Sequence, residues 1–80
     1  MDRLKILDEI QDIFRANFDD DSLVITDSSN AADIEDWDSL EQINLLTAIE
    51  KKYGLKFNLS DVRNLRNVGD LLDLLQRLLG

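Results

Sequence analysis

The 80-residue sequence contains neither cysteine nor histidine, and these two absences narrow the chemistry available to it. Without cysteine, no disulfide and no thiolate metal site can support the fold. Without both residues, the usual zinc sites lack their ligands, and the common activated nucleophiles lack their parts. The composition therefore lacks the parts of the usual zinc sites and of the usual nucleophilic catalysis.

Proline is also absent, which is consistent with an all-helical chain. No apolar run approaches the length of a membrane-spanning helix, and no signal-peptide pattern opens the sequence. We therefore expect a cytoplasmic protein without stable membrane insertion. A chain of 80 residues makes one domain at most, here residues 1–80, and its 44% of apolar residues suffices for one core.

Basic residues are missing from the middle of the chain. The net charge is −8, from 17 acidic and 9 basic residues, and the span between Arg15 and Lys51 holds ten carboxylates and no base. A negative surface of this kind argues against nucleic acid as a partner, because phosphates require a basic surface. It favours partners with basic patches, although solubility alone is an alternative explanation.

Apolar spacing predicts four helices and no convincing strand. The predicted segments are residues 2–16, 39–53, 60–65 and 68–79, with Asp2, Asp38, Ser60 and Asn67 as their N-caps. Gly54 is expected to end the second helix. The fold class is therefore an all-α bundle with three longer helices, one short helix and a long loop, residues 17–38, after the first helix.

A helical wheel assigns faces to these segments. On the second helix, it places Ile43, Leu46, Ile49 and Tyr53 toward the core, Leu45 at the edge, and Leu40, Asn44, Thr47 and Lys51 outward. The predicted core stripe of the first helix is Leu7, Ile10, Ile13 and Phe14, with Leu4 and Ile6 at its margins. That of the last helix is Val68, Leu71, Leu72, Leu75, Leu78 and Leu79, with Leu74 off the stripe.

Ser39 is predicted to be the first residue of the second helix. The first-turn N–H groups have no intrahelical acceptor, so an anion attached to the serine oxygen would be favoured there. A structural alternative exists, since serine is common near helix starts. Calcium binding by the acidic loop is a further alternative, but its spacing fails: Leu23 stands at the fifth position and Asn30 at the twelfth, counted from Asp19.

Residues 36–75, "DWDSLEQINLLTAIEKKYGLKFNLSDVRNLRNVGDLLDLL", resemble the acyl carrier proteins. The matching features are Asp38-Ser39-Leu40 at a helix start, the Leu45-Leu46 pair, Glu50-Lys51-Lys52-Tyr53 at the helix end, and Val68-Gly69-Asp70. The resemblance implies the four-helix bundle of that family and a carrier that is not an enzyme.

The resemblance also implies a cofactor and partners. A phosphopantetheinyl transferase would attach 4′-phosphopantetheine from coenzyme A to Ser39, and acyl groups would be carried as thioesters in fatty acid, lipid or specialised acyl metabolism. We expect a monomer that meets acyl-loading and acyl-transferring enzymes through their basic docking patches. The partner-binding residues implied are Asp38, Leu40, Glu41, Asn44, Thr47, Glu50 and Lys51.

Departures from the family pattern suggest a specialised carrier. Asn44 and Lys51 stand where typical fatty-acid-synthesis members carry carboxylates, and Trp37 stands where they carry a small residue. Trp37 is expected to pack on the bundle, or alternatively to form a wall near the arm or a transferase contact. An aminoacyl, peptidyl or hydroxyacyl carrier and a non-carrier interaction bundle remain alternatives. The core positions that could also line a chain pocket are Ile43, Leu46, Ile49, Val62, Leu71 and Leu75.

Overall fold

The computed structural model describes residues 2–34, 37–63 and 65–80, and for Ser39 the backbone alone. Four helices follow one another in the described ranges: α1 (Arg3–Phe18), α2 (Ser39–Tyr53), α3 (Leu59–Arg63) and α4 (Val68–Leu79). The predicted all-α bundle is confirmed, with a long connection between α1 and α2. Helix α1 packs against both α2 and α4.

Local capping explains where the helices begin and end. The side chains of Asp2, Asp38 and Asn67 accept the backbone N–H groups of Leu4, Glu41 and Asp70, so these three predicted N-caps are confirmed. Gly54 ends α2 with φ +65°, a left-handed conformation that glycine adopts without a Cβ penalty. The prediction that Ser60 caps α3 is wrong, because α3 begins one residue earlier and Ser60 lies inside it.

The core lies where α1, α2 and α4 meet, and it differs from the predicted faces at several positions. Ile6 is fully buried, although the wheel placed it at the margin of α1. On α2, Leu45 is 1% exposed and Ile43 is 61% exposed, so the prediction of Ile43 as core and Leu45 as edge is wrong. On α4, Leu74 is 4% exposed and Leu78 is 43% exposed, which reverses the prediction for this pair as well.

The long connection is held to α1 by its own apolar and polar groups. Ile25 and Ile34 are buried in the core cluster. The Ile25 N–H donates to Oε1 of Gln11 at 3.1 Å, and Nε of Arg15 donates to the Leu23 carbonyl at 2.7 Å. Residues 23–26 form no strand, and these side-chain bonds take the place of the backbone ladder that a strand would need.

The same connection is joined to the start of α4. The N–H groups of Val68 and Gly69 donate to the carbonyls of Ser29 and Asp27 at 2.8 and 2.7 Å. A Cβ on Gly69 would lie 2.9 Å from the Asp27 carbonyl oxygen, so the close approach requires glycine. We call this contact between residues 27–29 and 68–69 the loop–α4 junction.

Candidate functional site

The entrance of α2 is built by Asp38. Its backbone is extended, and its Oδ1 accepts the Glu41 N–H at 2.9 Å while its carbonyl accepts the Gln42 N–H at 2.9 Å. Ser39 is therefore the first helical residue, as predicted. The side chain of Ser39 lies outside the described residues, and its neighbours Asp38 and Leu40 are both exposed.

The first turn of α2 fits an anionic group attached at position 39. N–H groups at the first helical positions lack an intrahelical acceptor, and the helix dipole is positive at this end. The capping bond from Asp38 takes the N–H of the third position, Glu41, which leaves the first two positions without a capping bond from that side chain. A phosphodiester matches this donor set, although the carboxylate of Asp38 opposes its charge.

The predicted partner-binding residues fall into two groups. Asp38, Leu40, Asn44, Thr47 and Lys51 are exposed, and the last four lie on successive turns of one side of α2, as predicted. We call Leu40, Asn44, Thr47 and Lys51 the outer face of α2. Leu40 is 65% exposed, an apolar side chain in contact with solvent beside Ser39.

Glu41 and Glu50 form the second group, because both are half-buried and engaged within the molecule. Oε2 of Glu41 accepts Nδ2 of Asn17 at 2.8 Å, and Oε1 accepts Nδ2 of Asn44 at 3.2 Å. Oε2 of Glu50 accepts the Phe57 N–H at 2.8 Å and so closes the turn after α2. These two carboxylates therefore have structural roles in addition to any role toward a partner.

Several loop carboxylates are likewise engaged. Asp27 accepts from the guanidinium of Arg3 at 2.8 Å, and Asp33 accepts the Asn30 N–H at 3.2 Å. Asp20 accepts from both the hydroxyl and the N–H of Ser22, and these bonds lower the pKa of its carboxyl. Glu35 and Asp36, two members of the predicted acidic span, lie outside the described residues.

Beside the entrance of α2 lies an open groove of about 520 Å³. Its lining comes from four parts of the chain: Ala31, Trp37, Asp38, Gln42, Ile43, Val62, Leu65, Arg66, Asn67 and Leu71. Three of the residues proposed as pocket lining, Ile43, Val62 and Leu71, are among them. Leu46, Ile49 and Leu75 are not part of this lining and belong to the packed interior.

Trp37 both lines this groove and packs on the bundle. Its ring meets that of Phe14 edge-on, with centroids 5.3 Å apart and an interplanar angle of 88°. Its indole N–H donates to Oε1 of Gln42 at 2.6 Å. The expectation that Trp37 packs on the bundle is therefore confirmed, and Gln42 holds its indole N–H.

Sequence reasoning missed the polar rim of the groove. Gln42, Arg66 and Asn67 reach it from two separate segments, and among them only the capping pattern of Asn67 gave any local signal. Arg66 is oriented by Asp70, whose Oδ2 accepts the Arg66 N–H at 3.0 Å and Nε at 3.3 Å. The backbone bond, aided by the guanidinium, lowers the pKa of Asp70.

Among the described residues, no group of three or more Asp or Glu side chains is arranged to hold a metal ion. None of the described helices is long and apolar enough to cross a membrane.

Comparisons with known proteins agree with this geometry. A family profile described as "Phosphopantetheine attachment site" matches residues 4–75. Acyl carrier protein 2 of Ralstonia nicotianae is 28% identical over 79 residues, covering 99% of this chain and 98% of the relative. An acyl carrier protein of Brachyspira hyodysenteriae is 33% identical over 69 residues, covering 84% and 87%.

A solved structure is similar as well. The solution NMR structure of the holo acyl carrier protein from Geobacter metallireducens superposes with a TM-score of 0.84 at 48% identity. The match covers 89% of this chain and 82% of that one. The likeness therefore extends over most of both chains.

Proposed function

The chain belongs to the acyl carrier protein family, and we propose that Ser39 is the residue that carries its 4′-phosphopantetheine. As a member, the protein is a carrier of acyl groups and not an enzyme. Family membership also decides against an interaction bundle without a carrier role. The observation that supports Ser39 is its place as first residue of α2, inside the matched range 4–75.

The residues around Ser39 suit attachment by a separate transferase. In that step the serine oxygen bonds to phosphorus as the phosphoanhydride of coenzyme A breaks, the hydroxyl proton leaves, and the adenosine bisphosphate half departs. Asp38 fixes the start of α2 by its capping bond, and the first-turn N–H groups, which have no intrahelical acceptor, favour the phosphodiester. The bound group supplies a thiol on which acyl groups are held as thioesters.

Partner recognition is proposed for the outer face of α2 together with Asp38, Glu41 and Glu50. Exposed Leu40 supplies an apolar contact next to Ser39, and the nearby carboxylates would attract basic docking patches on acyl-loading and acyl-transferring enzymes. We further propose that residues 1–80 act as one carrier domain, as a monomer in the cytoplasm. The family match across 4–75 supports the single domain.

Intact mass tests the attachment site. After incubation with coenzyme A and a phosphopantetheinyl transferase, the wild-type protein should gain the mass of one phosphopantetheinyl group, and Ser39→Ala should gain none. Ser60→Ala is the matched control, because Ser60 also lies in the first turn of a helix. A gain that persists in Ser39→Ala would refute the assignment.

A specialised role is the narrower proposal. The outer face carries Asn44 and Lys51 in place of carboxylates, and Glu41 and Glu50 are engaged internally. Fewer free charges should slow electrostatically steered encounters with enzymes of general fatty acid synthesis. Turnover by those enzymes should be slower than with a general carrier, and equal turnover would remove the proposal.

A further inference from the structure

Trp37 lies between the groove and the packed interior. One part of the indole lines the groove, and the ring packs edge-on against Phe14, which is fully buried. The 2.6 Å bond from the indole N–H to Gln42 fixes the ring in this position, and Gln42 itself lines the groove. The indole and its amide partner together form a wall on the inner side of the groove.

Behind this wall the interior is tightly filled. Phe14, Leu45 and Ile49 are at most 1% exposed, so a ligand that entered there would have to displace side chains. Within the described lining, Leu71 is the one member of the buried core cluster that borders the groove. The groove thus ends at the core surface.

The chemistry of the lining also indicates which class of ligand the groove could hold. Six of its ten lining residues are apolar, but Asp38, Gln42, Arg66 and Asn67 interrupt them with polar groups. A long saturated chain would need a continuous apolar lining. A short acyl group, with the polar arm that carries it, matches such a mixed surface.

We propose that Trp37 is the residue that determines which length of acyl chain the carrier shelters, an inference that rests on the proposed attachment at Ser39. Trp37 stops the groove at the core surface, so that the carrier shelters short acyl groups in the groove and leaves long saturated chains in contact with solvent. Trp37 is a positioning residue here, since it shapes the groove and takes no part in any chemical step.

Thioester cleavage by hydroxylamine tests this proposal. Wild-type protein is loaded with butyryl-, octanoyl- or dodecanoyl-phosphopantetheine from the corresponding acyl-coenzyme A, and each cleavage rate is compared with that of the same thioester of free pantetheine. In the wild type, the butyryl thioester should be cleaved several-fold more slowly than its free counterpart, and the dodecanoyl thioester at about the free rate. In Trp37→Ala, the dodecanoyl thioester should become several-fold more resistant.

Ile43→Ala is the matched control, because Ile43 lines the same groove but is 61% exposed, so its truncation widens the groove toward solvent. It should leave dodecanoyl cleavage as in the wild type. A merely destabilised variant would instead lose the protection of the butyryl thioester and leave the dodecanoyl thioester at about the free rate. If Trp37→Ala does not fold, Trp37→Leu keeps an apolar filler and should show the same change to a smaller degree.

The outcomes separate this inference from the proposed function. Failure of the wild type to accept any acyl-phosphopantetheine would overturn both. Normal loading with equal protection of butyryl and dodecanoyl groups in the wild type would overturn the role of Trp37 alone, as would equal effects of Trp37→Ala and Ile43→Ala.

Discussion

The loop–α4 junction and the outer face of α2 differ in whether their side chains and backbone groups are bonded within the molecule or exposed to solvent. At the loop–α4 junction and its neighbour Arg3, polar groups are directed toward one another across α1, the long connection and α4. On the outer face of α2, Leu40 and Lys51 are both exposed to solvent. The first region fixes the bundle, and the second is left free for contacts outside it.

The comparison predicts that the free energy of unfolding depends on the packed core and on the loop–α4 junction, and hardly on the outer face of α2. Phe14→Ala removes a fully buried ring that contacts Trp37 and Phe18, so it should lower the free energy of unfolding by about 3–5 kcal/mol. Leu40→Ala, at 65% exposure, should change it by no more than about 0.5 kcal/mol. Urea unfolding followed by circular dichroism measures both.

Equal losses in these two variants would show that the outer face also stabilises the bundle, which would contradict the comparison. A loss in Phe14→Ala near zero would show that the ring is not packed as described.

Features of the fold that depend on neighbouring residues can be predicted from the sequence, whereas those that depend on tertiary contacts cannot. The bounds of α2 are predicted correctly because Asp38 and Gly54 act within one turn of the helix ends. The inward face of α2 is predicted only in part, because apolar side chains are distributed over much of the helix. Ile49 is buried as predicted, whereas Leu45 is buried in the core cluster in place of Ile43, which lines the groove and is exposed.

No local sequence pattern predicts the groove. Ala31, Trp37, Ile43 and Arg66 come from distant parts of the chain, and each has an ordinary local role. The helix-start signal at Asp38 and Ser39, together with the family resemblance, indicated this end of α2, but neither predicts the groove. The loop–α4 junction is similar: Gly69 has no turn signal, and its close approach to Asp27 requires the tertiary fold.

The second prediction breaks the loop–α4 junction directly. Gly69→Ala places a Cβ 2.9 Å from the Asp27 carbonyl oxygen, so the backbones must separate and the bonds donated by Val68 and Gly69 weaken. We expect a loss of about 1–3 kcal/mol in the free energy of unfolding. Hydrogen exchange should show faster exchange at the amides of residues 68 and 69.

Unchanged protection of these two amides in Gly69→Ala would contradict the junction. The Ile25 amide, which is bound to Gln11 elsewhere in the connection, serves as an internal reference and should exchange as in the wild type.

The third prediction compares two arginines. Arg3 reaches Asp73 at 2.6 Å and Asp27 at 2.8 Å with its side chain 31% exposed, and these bonds raise its pKa. Arg66 pairs with Asp70 at 3.3 Å with its side chain 84% exposed. Arg3→Gln should cost about 1 kcal/mol of unfolding free energy, because it breaks a network, and Arg66→Gln about 0.3 kcal/mol, because it breaks one exposed pair. Thermal unfolding at low and high salt measures both, and a larger loss in Arg66→Gln would reverse the ranking.

The smallest expected effect concerns Asp70, which follows Gly69 on α4 and pairs with Arg66 at the groove rim. Its pKa is lowered from the ordinary 3.8 by the Arg66 N–H, with the guanidinium adding to it. A carboxyl with a lowered folded pKa contributes stability that is present above its ordinary pKa and is lost as pH falls through the folded pKa. The stability difference between wild type and Asp70→Asn should therefore be constant near neutral pH and shrink below 3.8. Urea unfolding across the acid range measures it, with Asp73→Asn as a second carboxyl on the same helix. A difference that grows on acidification would mean that Asp70 is not held charged by Arg66, and that the groove rim is ordered by some other contact.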